Sequence, residues 1–457
     1  MNELMLYNAF LACGARHLAM VNTKYSEEKA LHYYNTATTY LLNALQNPNR
    51  DTVICATTAV ILNVYEVMCE RALQRMNHIA GARALIKECG WNARSTGIGA
   101  ACFWLNVGME LLSCLHFNWQ VAWDPDEWGV DMAFKRETEP GREVLWTHRV
   151  LYIVAKICNF RASVPRHSEA LSQAEQMRLQ NRYGEWKRLN QLAEAWNDSI
   201  PRTMHPMAYL HPYQTISQSN FPEVWLIKRP VIVARLFYHM ALVLLAQTNP
   251  VAPIETSEEM RELQQRNAVI ICGIVAHVKD RYDNFHFVLK HSMFLLALVN
   301  LQAYNRGIAS VAIRSLAVAA ECLNTRREQE EVVQILDKIR QETGWRIRFV
   351  IQELRKKWGW PESPPQQQQL QTQAQQVLSV PPSSHQQMQA AYPQQTQALL
   401  QPPLQAVVQP VRTMPPSTSA RPQNPLLGAA DFSLPQHPYQ NWYVAPNTIA
   451  PHPHYSF

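Results

Sequence analysis

Glycine is scarce in this chain, with 14 residues in 457. No glycine-rich phosphate loop follows a strand-like run and no Gly-x-Ser-x-Gly elbow occurs, which excludes the commonest nucleotide-binding and serine-hydrolase designs. Charge is thin as well. Charged residues make up 17% of the chain, and 42 Lys plus Arg against 36 Asp plus Glu leave a formal +6. That is far from the dense basic stripe of a self-sufficient DNA reader. Long uncharged runs are missing: Val231 to Ala246 is broken by Arg235 and His239, and Phe285 to Tyr304 by Lys290 and His291. Neither is expected to enter a bilayer, so no membrane partner is expected. Met1 to Val21 has no basic region ahead of an apolar run and is interrupted by Asn8, Arg16 and His17, so no secretory signal is expected. Period-two alternation is absent too, and no strand is expected.

The nine cysteines, from Cys13 to Cys322, are odd in number, widely spaced and mostly set among apolar residues. They read as free thiols of a soluble protein in a reducing compartment, and a small disulfide scaffold is excluded. His286 and His291 are five apart, and His205 and His211 six apart. Neither spacing puts two imidazoles on one helical face, so these are ordinary polar or loop histidines. Cys158 and Cys272 lie in apolar runs where a thiol acts as an inert small hydrophobe. The acids Asp124, Asp126, Glu127 and Asp131 stand beside Trp119, Trp123 and Trp128. Paired aspartates hold magnesium in some all-α enzymes, but here Pro125 breaks the spacing and no second acidic motif follows. A helix-capping or solvated loop, pinned to the body by its tryptophans, is expected. No catalytic residue, cofactor site or metal site is expected, and the chain is not expected to be an enzyme.

What is present is helical periodicity. His78, Gly81, Ala82, Leu85, Ile86 and Cys89 recur at i, i+3, i+4, i+7, i+8 and i+11, one face of an amphipathic helix whose small residues admit a close neighbour. Tyr34, Ala37, Leu41, Ala44 and Leu45 form another such face, ending near Asn47-Pro48 because proline cannot continue a helix. Asp51 is placed to cap the next helix, which runs to about Cys69. Further helices are predicted at roughly 96–116, 141–160, 172–196, 224–248, 257–282, 285–322, 329–343 and 347–358. The fold class expected is all-α, an array of antiparallel helical hairpins followed by a disordered Gln/Pro-rich tail.

Two connections are long. Phe117 to Pro140 holds the acidic, tryptophan-rich loop, and Asn197 to Glu223 is punctuated by Pro201, Pro206, Pro212 and Pro222. A soft internal boundary is placed at 197–223, within a helical domain spanning 1–360. From Pro361 the composition turns to Gln and Pro. The last 97 residues hold 18 of the 29 prolines, and their only charges are Glu362, Arg412, Arg421 and Asp431. A segment so poor in charge and clustered apolar groups cannot offset its ordering entropy, so 361–457 is expected to be disordered. Near its end Phe432, Leu434, Trp442 and Tyr443 form a candidate activation motif, able to dock apolar groups in a coactivator groove. Basic groups at Arg326-Arg327, Arg346, Arg348 and Arg355-Lys356-Lys357 alternate with acids and read as solvated faces. The last also has the composition of a weak nuclear import signal.

Several segments, taken in order, carry a resemblance. Leu6-Tyr7-Asn8-Ala9-Phe10-Leu11-Ala12-Cys13-Gly14-Ala15-Arg16-His17-Leu18 comes first, then His78-x-x-Gly81-Ala82-x-x-Leu85-Ile86. Leu115 to Trp119, leading to Trp123 through Trp128, follows, and then Phe221-Pro222-Glu223-Val224-Trp225 with Tyr238 to Ala241. Over roughly residues 4 to 325 this resembles the fungal-specific transcription factor domain, the helical regulatory region of fungal binuclear zinc cluster regulators. The resemblance implies a nuclear transcriptional regulator, with transcription machinery or coactivators as partners through the tail and a homodimer as a further expectation. A helical protein-interaction scaffold with no transcriptional role fits the composition equally well. Family members begin with six closely spaced cysteines that bind two zinc ions and set a helix in the major groove. Here the first two, Cys13 and Cys55, are 42 positions apart, so DNA contact by this chain without a zinc cluster is not expected.

Overall fold

The computed structural model describes residues 2–361 apart from 23, 70–71, 135–140, 164–172, 216, 254–255, 290–310, 344 and 346. Among the described residues there are twelve helices. They are α1 (Asn2–Val21), α2 (Glu27–Leu45), α3 (Thr52–Val67), α4 (Ala72–Glu88), α5 (Gly97–Phe117), α6 (Glu143–Ala162), α7 (Gln173–Ser199), α8 (Arg229–Gln247), α9 (Glu258–Leu289), α10 (Val311–Ala320), α11 (Arg326–Thr343) and α12 (Arg348–Lys357). The protein is all-α.

Helix ends follow local chemistry. Ser26 Oγ accepts from the Glu28 amide at 3.1 Å and starts α2, and Asp51 Oδ1 accepts from the Ile54 amide at 3.1 Å and starts α3. Gly90, at φ 69°, ends α4 in the left-handed region that favours glycine, and the Trp91 amide closes back on Ile86 O at 3.0 Å. The inward faces match the expected spacing: Tyr34, Ala37 and Leu41 on α2, and Ala82, Leu85 and Ile86 on α4, are buried.

Neighbouring helices pack as hairpins, α1 on α2, α3 on α4 and α8 on α9, while α5 touches α3, α4 and α6. α8 is apolar apart from Arg235 and His239 and is nearly wholly buried from Val231 to Ala246, the place so apolar a helix must occupy. α11 returns to touch both α1 and α9, and the Trp358 indole donates to Ala320 O at 3.0 Å, tying the end of α12 to α10. Trp128, Trp146 and Trp196 are fully buried, each contributing on the order of 1.5–3 kcal/mol through burial.

The structure departs from the sequence expectations in several places. Two short strands exist, β1 (Tyr209–Leu210) and β2 (Glu223–Val224), paired antiparallel; two residues are too short to show an alternation. Residues 224–228 are therefore not helical, and α8 opens at Arg229 with Pro230 in its first turn, a position suited to proline. α9 continues to Leu289, through the Asp283-Asn284 pair where a break was expected. The connection 197–223 lies within Met1–Trp358, part of one compact unit, and is held against the body. The physical reason is packing. Met204 and Phe221 are fully buried, Glu331 binds the amide and side chain of Asn220 at 2.8 and 2.7 Å, and Gly273 on α9 lies so close to Pro222 that a Cβ would stand 2.2 Å from its carbonyl oxygen.

Three helical spans, Glu3–Val21, Gly97–Phe117 and Arg229–Gln247, are long and apolar enough to cross a membrane by length and composition, which the broken-run reading had not anticipated. The body buries them very unequally, at 22%, 50% and 83%.

Candidate functional site

The acidic loop is built as a clasp between α5 and α6. Asp124 Oδ1 accepts from the Asp126 amide at 3.0 Å and caps a 3-10 turn, Pro125–Trp128. Asp126 binds Lys156 Nζ at 2.8 Å and the Tyr152 hydroxyl, and these bonds, Lys156 first, hold its carboxyl below the ordinary carboxylate range. Glu127 faces Lys87 at 3.3 Å on the surface, where screening leaves such a pair little energy. Asp131 caps the Ala133 amide at 2.9 Å and lies 3.7 Å from Arg149. Asp124, Asp126 and Asp131 thus have structural tasks, and no group of three or more His, Cys, Asp or Glu set to hold a metal occurs among the described residues.

The tryptophans hold the loop down as expected. Trp123 and Trp128 are buried and meet Phe103 edge-on, at 5.2 and 6.4 Å between ring centroids, and the Trp128 indole donates to Trp123 O at 3.2 Å. Trp119 stacks on Phe117 at 4.4 Å.

Two polar anchors of this loop were not visible in the sequence. Glu110 on α5 is buried, 3.3 Å from Arg83 on α4, and its Oε1 accepts from the amides of Ala122 at 2.6 Å and Trp123 at 3.4 Å. Arg149 on α6, fully buried, donates to Asp131 O at 2.7 Å and Ala133 O at 3.0 Å and lies over the Trp146 ring at 4.5 Å. Each sits within an apolar helical stretch, and only that oddity, a lone charge among apolar neighbours, marks it in the sequence.

A third polar node joins α7, α8 and α9. Asn267 Nδ2 donates to Leu263 O at 2.7 Å, so its Oδ1 is the acceptor for His239 Nδ1–H at 2.8 Å. His239 Nε2 then accepts from Arg235 at 3.3 Å, and Arg235 also donates to Asn197 at 2.6 Å. Burial, and then the nearby Arg235 charge, pull His239 down to about 3, so the imidazole is neutral.

The remaining candidates take structural places. Cys158 donates to Trp119 O at 3.2 Å and burial pushes its thiol up to about 12, while burial raises Cys272 well above its ordinary value. Neither is a ready nucleophile. Burial also lowers His205, and His211 stacks on Tyr213 at 5.4 Å. The His286 side chain and His291 lie outside the described residues, as does Arg346. Arg326 pairs with Glu330 at 2.7 Å and Lys357 with Glu321 at 2.5 Å, the mixed solvated faces expected. Phe432, Leu434, Trp442 and Tyr443, with the Gln/Pro tract after 361, also lie outside the described residues.

The loop acids Asp124, Asp126 and Asp131, the buried Glu110 and Arg149 and the Cys158 thiol are thus taken up in holding the all-α body together. The expected resemblance is borne out at its start: residues 1–106 match the fungal specific transcription factor domain. Among characterised proteins the chain is similar to the transcription activator AMTR1 of Alternaria alternata, 23% identical over 229 residues. That alignment takes in 48% of this chain and 27% of the relative, so the chain spans about a quarter of that protein's length. No solved structure matches.

Proposed function

We propose that the chain is a nuclear transcriptional regulator of the fungal zinc-cluster type, acting through a helical regulatory body and an activating tail, and not an enzyme. The observation that carries this reading is the match of residues 1–106 to the fungal specific transcription factor domain. The similarity to a protein described as a transcription activator supports it. The packed helical body gives the physical basis, a rigid frame whose surface, not a cleft chemistry, is available to partners. The tail supplies the recruiting element, with Phe432, Leu434, Trp442 and Tyr443 as the groups that dock in a coactivator groove and the Gln/Pro tract as their spacer. Residues 1–360 regulate and do not read DNA: a formal +6 gives only diffuse phosphate attraction that fades with salt.

The test is to tether the full chain to an unrelated DNA-binding domain in a reporter strain, and separately to follow a fluorescently tagged chain in the cell. Nuclear accumulation and reporter output that falls when 361–457 is deleted are expected. A chain that stays outside the nucleus and activates nothing would overturn the proposal in favour of a helical interaction scaffold. A DNA footprint that survives physiological salt would overturn the division of labour between body and DNA reader.

A further inference from the structure

Tyr209, His211 and Tyr213 form a row of exposed rings on the Pro-rich connection between α7 and α8. Residues two apart share one side of an extended backbone. Here they meet in sequence: Tyr209 contacts His211 edge-on at 5.1 Å between ring centroids, and His211 stacks on Tyr213 at 5.4 Å. Tyr209 is 41% and Tyr213 82% exposed, His211 is exposed, and Met207 at the head of the row is 68% exposed.

The backbone beneath the row is fixed. The Met207 amide donates to Trp225 O at 2.7 Å and the Trp225 amide to Ala208 O at 2.9 Å, while Val224 and Leu226 are buried. At the other end the His211 amide donates to Gln214 Oε1 at 2.8 Å and the Gln214 amide to His211 O at 2.8 Å, closing the turn that Pro212 opens. Aromatic groups on so constrained a backbone lose little freedom when a ligand covers them.

Residues 203–222, which carry the row, contain no Asp, Glu, Lys or Arg. Stacked nucleotides need cations for their phosphates, whereas an uncharged proline-rich strand needs none. Such a strand packs its pyrrolidine rings on aromatic faces, offers its carbonyls to tyrosine hydroxyls, and is already ordered as a polyproline II helix. The chain supplies one outside the described residues, Phe432-Ser433-Leu434-Pro435-Gln436-His437-Pro438-Tyr439, with no charged residue and two prolines three apart. Polyproline II geometry separates those prolines by about 9 Å, a distance that two ring spacings of the row cover. The stretch of about 70 residues between Pro361 and Asp431 has a reach of roughly 45 Å as a flexible chain, which sets an effective concentration of about millimolar, so weak docking suffices.

We propose that residues 432–439 dock on the Tyr209–His211–Tyr213 row of their own chain, covering Phe432 and Leu434. The consequence rests on the reading of those two side chains as activating groups: the docked form is silent, and a coactivator competes with the row for them.

Fluorescence anisotropy of a labelled peptide of residues 428–443, titrated with the full chain, tests the proposal. The wild type, its row already covered, should capture the peptide at least about tenfold more weakly than Pro435→Ala/Pro438→Ala, whose own segment no longer docks. Adding Tyr213→Ala to that variant should abolish capture without moving the thermal midpoint, because the ring is exposed. Pro422→Ala/Pro425→Ala, a neighbouring pair of prolines three apart, should behave as wild type. In the tethered reporter, Tyr213→Ala should raise output severalfold. Absence of capture by the undocked variant at millimolar concentration, equal capture by wild type and that variant, capture that survives Tyr213→Ala, or strong capture by Pro422→Ala/Pro425→Ala would each overturn the proposal. A silent reporter beside the expected capture pattern would support the docking and count against activation by the tail.

Discussion

Replacing Glu110 by alanine tests how the acidic loop is held. The carboxylate is 4% exposed, its partner Arg83 is 9% exposed, and two loop amides donate to the same oxygen. Removing one member of a buried ion pair costs about 3–5 kcal/mol, and each hydrogen bond to a charged group about 1.5–3 kcal/mol. The contributions overlap because the groups act together, so about 4 kcal/mol is expected for Glu110→Ala. Glu110→Gln keeps an oxygen for the amides of Ala122 and Trp123 but loses the charge facing Arg83, and about half that loss is expected. With a urea slope of about 3 kcal/mol/M, the alanine variant should unfold at about 1 M less urea. Tryptophan fluorescence is a suitable probe because Trp123 and Trp128 lie in the same loop, and the native emission of the alanine variant should shift to the red. An alanine variant that unfolds at the wild-type midpoint with unchanged emission would refute the anchoring argument.

Other outcomes follow from the same structure. Gly273→Ala should destabilise the body by several kcal/mol and loosen residues 219–228, measurable by hydrogen exchange, because the new Cβ has only 2.2 Å to the Pro222 carbonyl oxygen. Stability should fall on acidification: His239 is pulled down to about 3 and His148, half-buried and stacked on Trp104, to about 4, so the unfolded chain takes up their protons first as pH drops below about 6.5. Each depressed imidazole contributes stability that is complete above about pH 6.5, and between about pH 7 and pH 5 each should cost roughly 2 kcal/mol, seen as a falling thermal midpoint that His239→Gln makes shallower. Limited proteolysis should remove 361–457 before it cuts the helical body, and slow amide exchange in the tail would contradict that. In a tethered reporter, changing Phe432, Leu434, Trp442 and Tyr443 together to alanine should abolish most of the output of residues 361–457, and undiminished output would assign activation to the Gln/Pro tract.

Much of the fold was legible because helical periodicity is a local signal. The inward faces of α2 and α4, the Asp51 cap and the end of α2 before Pro48 each depend on residues within a few positions of one another. Composition likewise separates the body from the Gln/Pro tail, and the ordered family motifs point to the domain that residues 1–106 match. Tertiary structure decided what depends on partners distant in sequence. Glu110 became a loop anchor because folding brings Arg83 and the Ala122 and Trp123 amides to it, and the Pro-rich connection became part of the core because Gly273 on α9 receives Pro222. The same distinction applies to α1: its sequence shows an apolar helix, but only packing determines that Met5, Ala9 and Ala12 face inward and that Tyr7, Phe10 and Leu18 are left to the surface. Periodicity records how residues share a face, and the choice of which face is covered belongs to the helices that fold against it.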